Sequence, residues 1–205
     1  TCGRLVIKTT TGGASWSLSH TTPSVFQSFV AFFDSFNGAL FAGAQSVYTA
    51  DGGATPWIPA TTTLLPGFSL QGFPRALLYV APNLVLGGGS FVNPYGQTIR
   101  VSLDGGNNYF IPNVAGQSAN MFPSFTARAT LDFAAPNVSN LYAVGYDNSL
   151  PNIAVILKST DGGLNWGQQV SPVSQILQGT GFSTATLGLA VGRNGTIIKT
   201  QTGGI

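Results

Sequence analysis

The sequence contains no glutamate, and six aspartates are its whole acidic complement. Any chemistry that needs a Glu acid or base is excluded with it. Cysteine occurs once, at Cys2, so no disulfide can form within the chain, although a cross-link to a neighbour stays open. Histidine also occurs once, at His20, with no second imidazole and no nearby thiol to complete a metal site or a triad. Charged residues make up 7 % of the chain, against roughly 25 % in an ordinary globular domain. The net charge of +2 rests on scattered Arg and Lys, with no basic run to suit nucleic acid or an anionic membrane. No apolar run reaches the roughly 18 residues of a membrane span.

With charge so scarce, Thr, Ser, Asn and Gln must supply the polar surface, which suits a secreted or cell-surface protein. The chain opens at Thr1 rather than Met, which points to a processed or excised product. At 205 residues it is long enough for one sizeable all-β core.

What is present is a repeat. KTTTGGASW (residues 8–16), YTADGGATPW (48–57), VSLDGGNNYF (101–110), KSTDGGLNW (158–166) and KTQTGGI (199–205) share Ser or Thr, any residue, Asp or Thr, then Gly-Gly, with an aromatic after the first four. The leading hydroxyls are Thr9, Thr49, Ser102, Ser159 and Thr200. Ahead of each copy stand short β-prone runs such as RLVIK, QTIRV and AVILK, and ahead of most of them apolar runs ending in glycine, such as ALFAG and LYAVG. Further upstream come FVAFFD, RALLYV, ARATLDF and FSTATL, and after each of the first four Gly-Gly pairs a fourth run such as WSLSH or YFIPN. Each unit reads as four short strands separated by turn residues, the second nearly all apolar, as in a strand buried on both faces. One segment is ambiguous: residues 24–36 place Val25, Phe29, Phe32 and Phe36 at helical spacing. Alignment with the other units favours a strand over residues 29–34.

Four-stranded units at this period predict an all-β chain, a β-propeller of antiparallel blades forming a single domain over residues 1–205. The units are expected near 1–18 (partial), 25–60, 73–113, 125–171 and 182–205 (partial). The two partial units could merge into a mixed blade closing a ring of four, with residues 4–8 or 196–199 left as a surplus strand. They could instead belong to a larger ring, or a terminal strand could complete a blade in a neighbouring molecule.

The S/T-x-D-G-G-x-x-W pattern resembles the Asp-box, or bacterial neuraminidase repeat, found in sialidases, xyloglucan-cleaving glycosidases, sortilin-like receptors and photosystem II assembly factors. Residues 131–166 look like the glycosidase and sortilin versions, and 187–204 like the assembly-factor version. The resemblance implies a propeller but little about activity, because these families do unrelated things. It places the box in a peripheral hairpin. The residues themselves agree: an Asp two positions after a strand hydroxyl can accept turn amides, and Gly-Gly supplies positive φ. Asp51, Gly52, Gly53, Trp57, Asp104, Gly105, Gly106, Asp161, Gly162, Gly163 and Trp166 are therefore read as structural. Trp16 matches Trp57 and Trp166 and is expected in the core with them. Thr11 and Thr202 replace the Asp in the outer copies, where a catalytic acid could not be replaced.

A sialidase, as the resemblance implies, needs a Glu to activate its Tyr nucleophile, and none exists here. A two-carboxylate glycosidase would have to draw on Asp34, Asp132 and Asp147 once the box acids are set aside. Asp34 and Asp147 read better as turn acids, and Asp132 as a partner of a neighbouring turn or an Arg. Gly87-Gly88-Gly89 has neither the Lys-Ser/Thr nor the helix of a phosphate loop. A ligand site should use residues that differ between units, which selects Arg75, Arg128, Arg193 and Asp132. Asn137 and Asn194 are formal glycosylation acceptors. No catalytic residue, metal site or cofactor is expected. The function expected is a non-enzymatic extracellular binding or structural module for protein or glycan, with self-assembly by terminal strand exchange as a variant. A photosystem-type assembly factor and a glycoside hydrolase-like fragment are the alternatives.

Overall fold

A computed structural model describes residues 4–22, 28–43, 45–63, 71–92, 99–114, 128–147 and 153–204. Nearly all regular structure in it is β. The first sheet is a hairpin of β1 (Arg4–Lys8) and β2 (Ser17–Thr22). Next comes a four-stranded antiparallel blade of β3 (Ser28–Phe32), β4 (Gly38–Ala42), β5 (Gln45–Thr49) and β6 (Ile58–Pro59). The ambiguous segment is thus a strand where it is described, paired along its length with β4.

After the short β7 (Thr61–Thr62), a second blade is formed by β8 (Gln71–Ala81), β9 (Leu84–Val92) and β10 (Ile99–Ser102). Its outer strand, β11 (Asn108–Tyr109), continues into a Val101–Phe110 bridge with β10. Then β12 (Asn113–Val114) leads to a third blade of β13 (Arg128–Ala134), β14 (Leu141–Asp147), β15 (Ala154–Ser159) and β16 (Asn165–Gln169). A last sheet holds β17 (Leu177–Phe182), β18 (Gly188–Gly192) and β19 (Ile197–Thr200). Its inner strand starts earlier than the run FSTATL suggests. Residues 183–187 form the following turn, in which Thr184 Oγ1 accepts the Thr186 and Leu187 amides.

The apolar clusters lie between consecutive sheets, and the period-two geometry of strands explains how. Along β4, Leu40 and Ala42 pack with Val47, Trp57 and Val6 toward the first hairpin. The alternate residues Ala39 and Phe41 pack with Tyr79, Val85 and Tyr109 of the second blade. Leu86, Ile99 and Val101 meet Phe133, Leu141, Leu157 and Trp166 of the third. Val144 and Ala154 meet Leu177 and Ala190 of the last sheet. A strand sandwiched this way has no polar face, which is why β4 and most of β14 are apolar throughout.

Short parallel bridges stitch neighbouring blades at their outer edges. β7 pairs with β11, and β12 with β16. Asn113 Nδ2 donates to Asn165 Oδ1 at 3.0 Å, and Thr61 Oγ1 bonds Asn108 Oδ1. At the inner edge, Asp132 Oδ2 of β13 accepts the Thr180 amide of β17 at 2.8 Å. Among the described residues the hairpin β1–β2 and the sheet β17–β19 are separate, so there the two partial units do not pair into one sheet.

Candidate functional site

The repeated Gly-Gly turn is built alike in each described copy. The strand hydroxyl accepts the amide of the second glycine: Gly53 on Thr49 (2.8 Å), Gly106 on Ser102 (2.9 Å) and Gly163 on Ser159 (2.9 Å). The same hydroxyl donates to the Asp two residues on, at 2.8 Å for Asp51 and Asp104 and 2.9 Å for Asp161. The carboxylate then closes the turn by accepting the Thr55, Asn108 and Asn165 amides. Both glycines of each copy lie at positive φ, for example 73° and 92° at Gly162 and Gly163, where a side chain would be strained. In the outer copies Thr9 and Thr200 hold the Gly13 and Gly204 amides, and Thr11 Oγ1 accepts the Ser15 amide.

These bonds stabilise the charged form of each acid. Asp51 is held below the usual carboxylate range by Thr55 and Thr49, and Asp161 by Asn165 and Ser159. At Asp104 partial burial works upward, but the bonds from Asn108 and Ser102 outweigh it. Asp34 caps its own turn, accepting the Phe36 and Asn37 amides at 2.7 Å each, and is lowered by them. Asn137 plays the same part in the third blade, accepting the Ser139 and Asn140 amides. Asn194 stands exposed at φ 57° in the β18–β19 turn.

The aromatic after the Gly-Gly behaves differently from copy to copy. Trp57 and Trp166 are 4 % and 1 % exposed, but Trp16 is 58 % exposed. Its expected place in the core is corrected: a buried indole needs a sheet on the preceding side, and among the described residues none stands there beside the first hairpin. Gly87 and Gly88 are explained by approach. A Cβ on Gly87 would lie 1.9 Å from the Phe41 ring, and one on Gly88 2.7 Å from the Phe133 ring. They admit an aromatic from each flanking blade. His20 lies 6.0 Å from the Trp57 ring and is lowered by burial.

Four of the acids and the three lysines, Lys8, Lys158 and Lys199, share one end of the strands. Asp34, Asp51, Asp104 and Asp161 sit at the end that carries the Gly-Gly turns, since Gly52 and Gly105 bond the turns between first and second strands. Arg128 and Arg193 lie toward the other end. Arg128 and Asp147 pair at the start of β13 and end of β14, and Arg193 follows β18 directly. The Arg128 side chain lies outside the described residues. Arg100, buried on β10, sits 5.7 Å over the Phe41 ring and is lowered to about 10 by desolvation.

Arg75 has a position that the repeat alone does not reveal. The pairing of β8 with β9 shifts between Pro74 and Ala76, leaving Arg75 as the extra residue of a bulge. Leu131 and Gln178 occupy the same bulge on β13 and β17. Bulges re-aim side chains, and both Arg75 and Gln178 are exposed. Three successive inner strands therefore present a non-repeating row, Arg75, Leu131 and Gln178, with Asp132 beside it tied to the next blade. Gln178 escaped the sequence reading because a bulge leaves no mark on residue type. An apolar cavity of about 190 Å³, lined by Val144, Ile156, Phe182 and Ile198 among others, also lies between the last two sheets. Among the described residues, groups of three or more His, Cys, Asp or Glu able to hold a metal do not occur.

No protein-family model and no curated protein sequence matches this chain. Solved structures do. An ancestral GH74 enzyme superposes with a TM-score of 0.54 at 15 % identity, over 94 % of this chain and 28 % of its own. The GH74 xyloglucanase from Xanthomonas campestris gives 0.51 at 16 %, over 81 % and 27 %. YCF48 bound to D1 peptide gives 0.45 at 16 %, over 97 % and 72 %. The likeness to the GH74 structures, with the stacked antiparallel sheets, makes the fold that of a β-propeller. At these identities the likeness carries fold alone.

Proposed function

We propose that this chain is a non-enzymatic binding module of the Asp-box propeller type, acting outside the cell or at its surface. Its recognition surface is the arginine-bearing end of the inner strands, with Arg75 and Arg193 as the exposed anchors. The partner is an acidic protein segment or glycan, since exposed guanidinium groups favour carboxylates and sulfates.

One observation carries this reading: the six aspartates serve the scaffold. Four close turns, Asp132 straps two inner strands, and Asp147 is buried at the end of β14. A two-carboxylate hydrolase needs a pair of acids free to face a sugar. A row that differs from blade to blade, exposed at Arg75 and Gln178, suits recognition instead.

The test is to probe peptide and glycan arrays with the wild-type chain and with Arg75→Ala and Arg193→Ala. Retention of acidic ligands by the wild type, weakened about tenfold or more by each substitution, is expected; tenfold is about 1.4 kcal/mol. Equal binding by all three proteins contradicts the proposed surface. Depolymerisation of a polysaccharide that vanishes in Asp132→Asn contradicts the non-enzymatic reading and favours a glycoside hydrolase-like fragment.

A further inference from the structure

The junction between consecutive sheets follows one rule, and the two end faces of the stack carry its unmatched halves. In each junction the residue just before the strand hydroxyl packs against the Gly-Gly turn of the next sheet. Lys8 Nζ donates to the Gly53 and Gly52 carbonyls at 3.0 and 3.4 Å. A Cβ on Gly106 would touch Tyr48 at 3.4 Å, and one on Gly163 would touch Val101 at 3.3 Å. Lys158 Nζ lies 3.1 Å from where a Gly203 Cβ would be.

The next residue in that series is Lys199, exposed on the free face of the last sheet. Around it Leu189, Val191 and Ile197 are exposed, Ile197 at 71 %. Ile197 and Lys199 precede Thr200 as Val6 and Lys8 precede Thr9, and Val6 packs against the cluster that holds Trp57. The first hairpin offers the complementary half. Gly12 and Gly13 meet nothing within 4 Å among the described residues. Trp16, Leu5, Ile7 and Leu18 are exposed beside them. The two turns differ at one position, KTTTGG against KTQTGG.

We infer that the free face of β17–β19 docks the β1–β2 face of a second copy of this chain. Lys199 then donates to the Gly12 and Gly13 carbonyls as Lys8 does to Gly52 and Gly53, and Ile197 covers Trp16 as Val6 covers the Trp57 cluster. The contact joins unlike faces, so it propagates head to tail. Its occupant is set by continuity with the junction already made four times within the chain. The inference is independent of the ligand reading above.

Sedimentation velocity of the 205-residue chain, from micromolar to near-millimolar concentration, tests it. Dimers and longer species are expected to grow with concentration, with a blue shift of Trp16 emission. Trp16→Asp and Ile197→Asp each disable one face, so each alone stays monomeric. Their equimolar mixture stops at a heterodimer, because each variant keeps the face the other lacks. Circular dichroism melts establish that both variants fold, and Leu18→Asp with Lys199→Glu serve as a second pair. A wild-type chain monomeric throughout overturns the inference and assigns both faces to further blades of a longer polypeptide. Self-association by either single variant also overturns it, since that requires like faces to pair.

Discussion

At the residue scale, the strand hydroxyl and the Asp beside it form one device, and the hydroxyl is its pivot. Ser159 is buried, accepts the Gly163 amide and donates to Asp161. Ser159→Ala leaves a buried amide unpaired, so a loss of about 1–3 kcal/mol is expected in chemical denaturation, with Ser159→Thr largely neutral. The acids give the device a pH dependence of definite sign. Asp34, Asp51, Asp104 and Asp161 are all lowered in the folded chain, so their contribution is present above the unfolded value and is lost as pH falls through the folded one. Thermal melts should decline slightly below about pH 6.5, where the unfolded chain protonates His20 more readily than the folded one, and drop more steeply below about 4 as the aspartates protonate. Asp51→Asn with Asp161→Asn should lower the neutral melting temperature and weaken the acid drop. The turn role of these acids could be read from sequence because sister copies carry Thr11 and Thr202 in the same place. Trp16 could not be placed that way, since exposure depends on which sheet stands beside it.

At the scale of the element, the glycines of β9 decide how closely three blades approach. Gly87→Ala must displace the Phe41 ring and Gly88→Ala the Phe133 ring, so each is expected to cost about 1–3 kcal/mol by denaturant titration. An insensitive protein would show that the inner strands stand further apart. The strand count per unit was legible because apolar runs alternate with Gly and Asn turns. Register was less so. The run FSTATL alternates as well as a strand does, yet Thr184 turns residues 183–187 into a loop and shifts the strand back to Leu177–Phe182. The bulges that aim Arg75 and Gln178 outward arise from pairing with a second strand and have no local sequence signature.

At the scale of the whole molecule, repetition made the stack legible, while the relation of its ends required the structure. Sheets meet through the same alternating faces from the first hairpin to the last, and Arg128 and Arg193 lie at the end away from the Gly-Gly turns, where Asp147 is also buried. The scaffold role of the six aspartates carries the functional reading, and the exposed Arg75 and Arg193 locate its surface. Its most direct test is calorimetric titration of one acidic ligand from the array screen into three proteins. They are the wild type, Arg75→Ala/Arg193→Ala, and Asp51→Asn/Asp161→Asn, compared at a temperature where all are folded. A binding scaffold with an arginine end predicts a loss of at least about tenfold in the first variant and unchanged affinity in the second. Undiminished affinity in the arginine variant, or a loss confined to the aspartate variant, would contradict it.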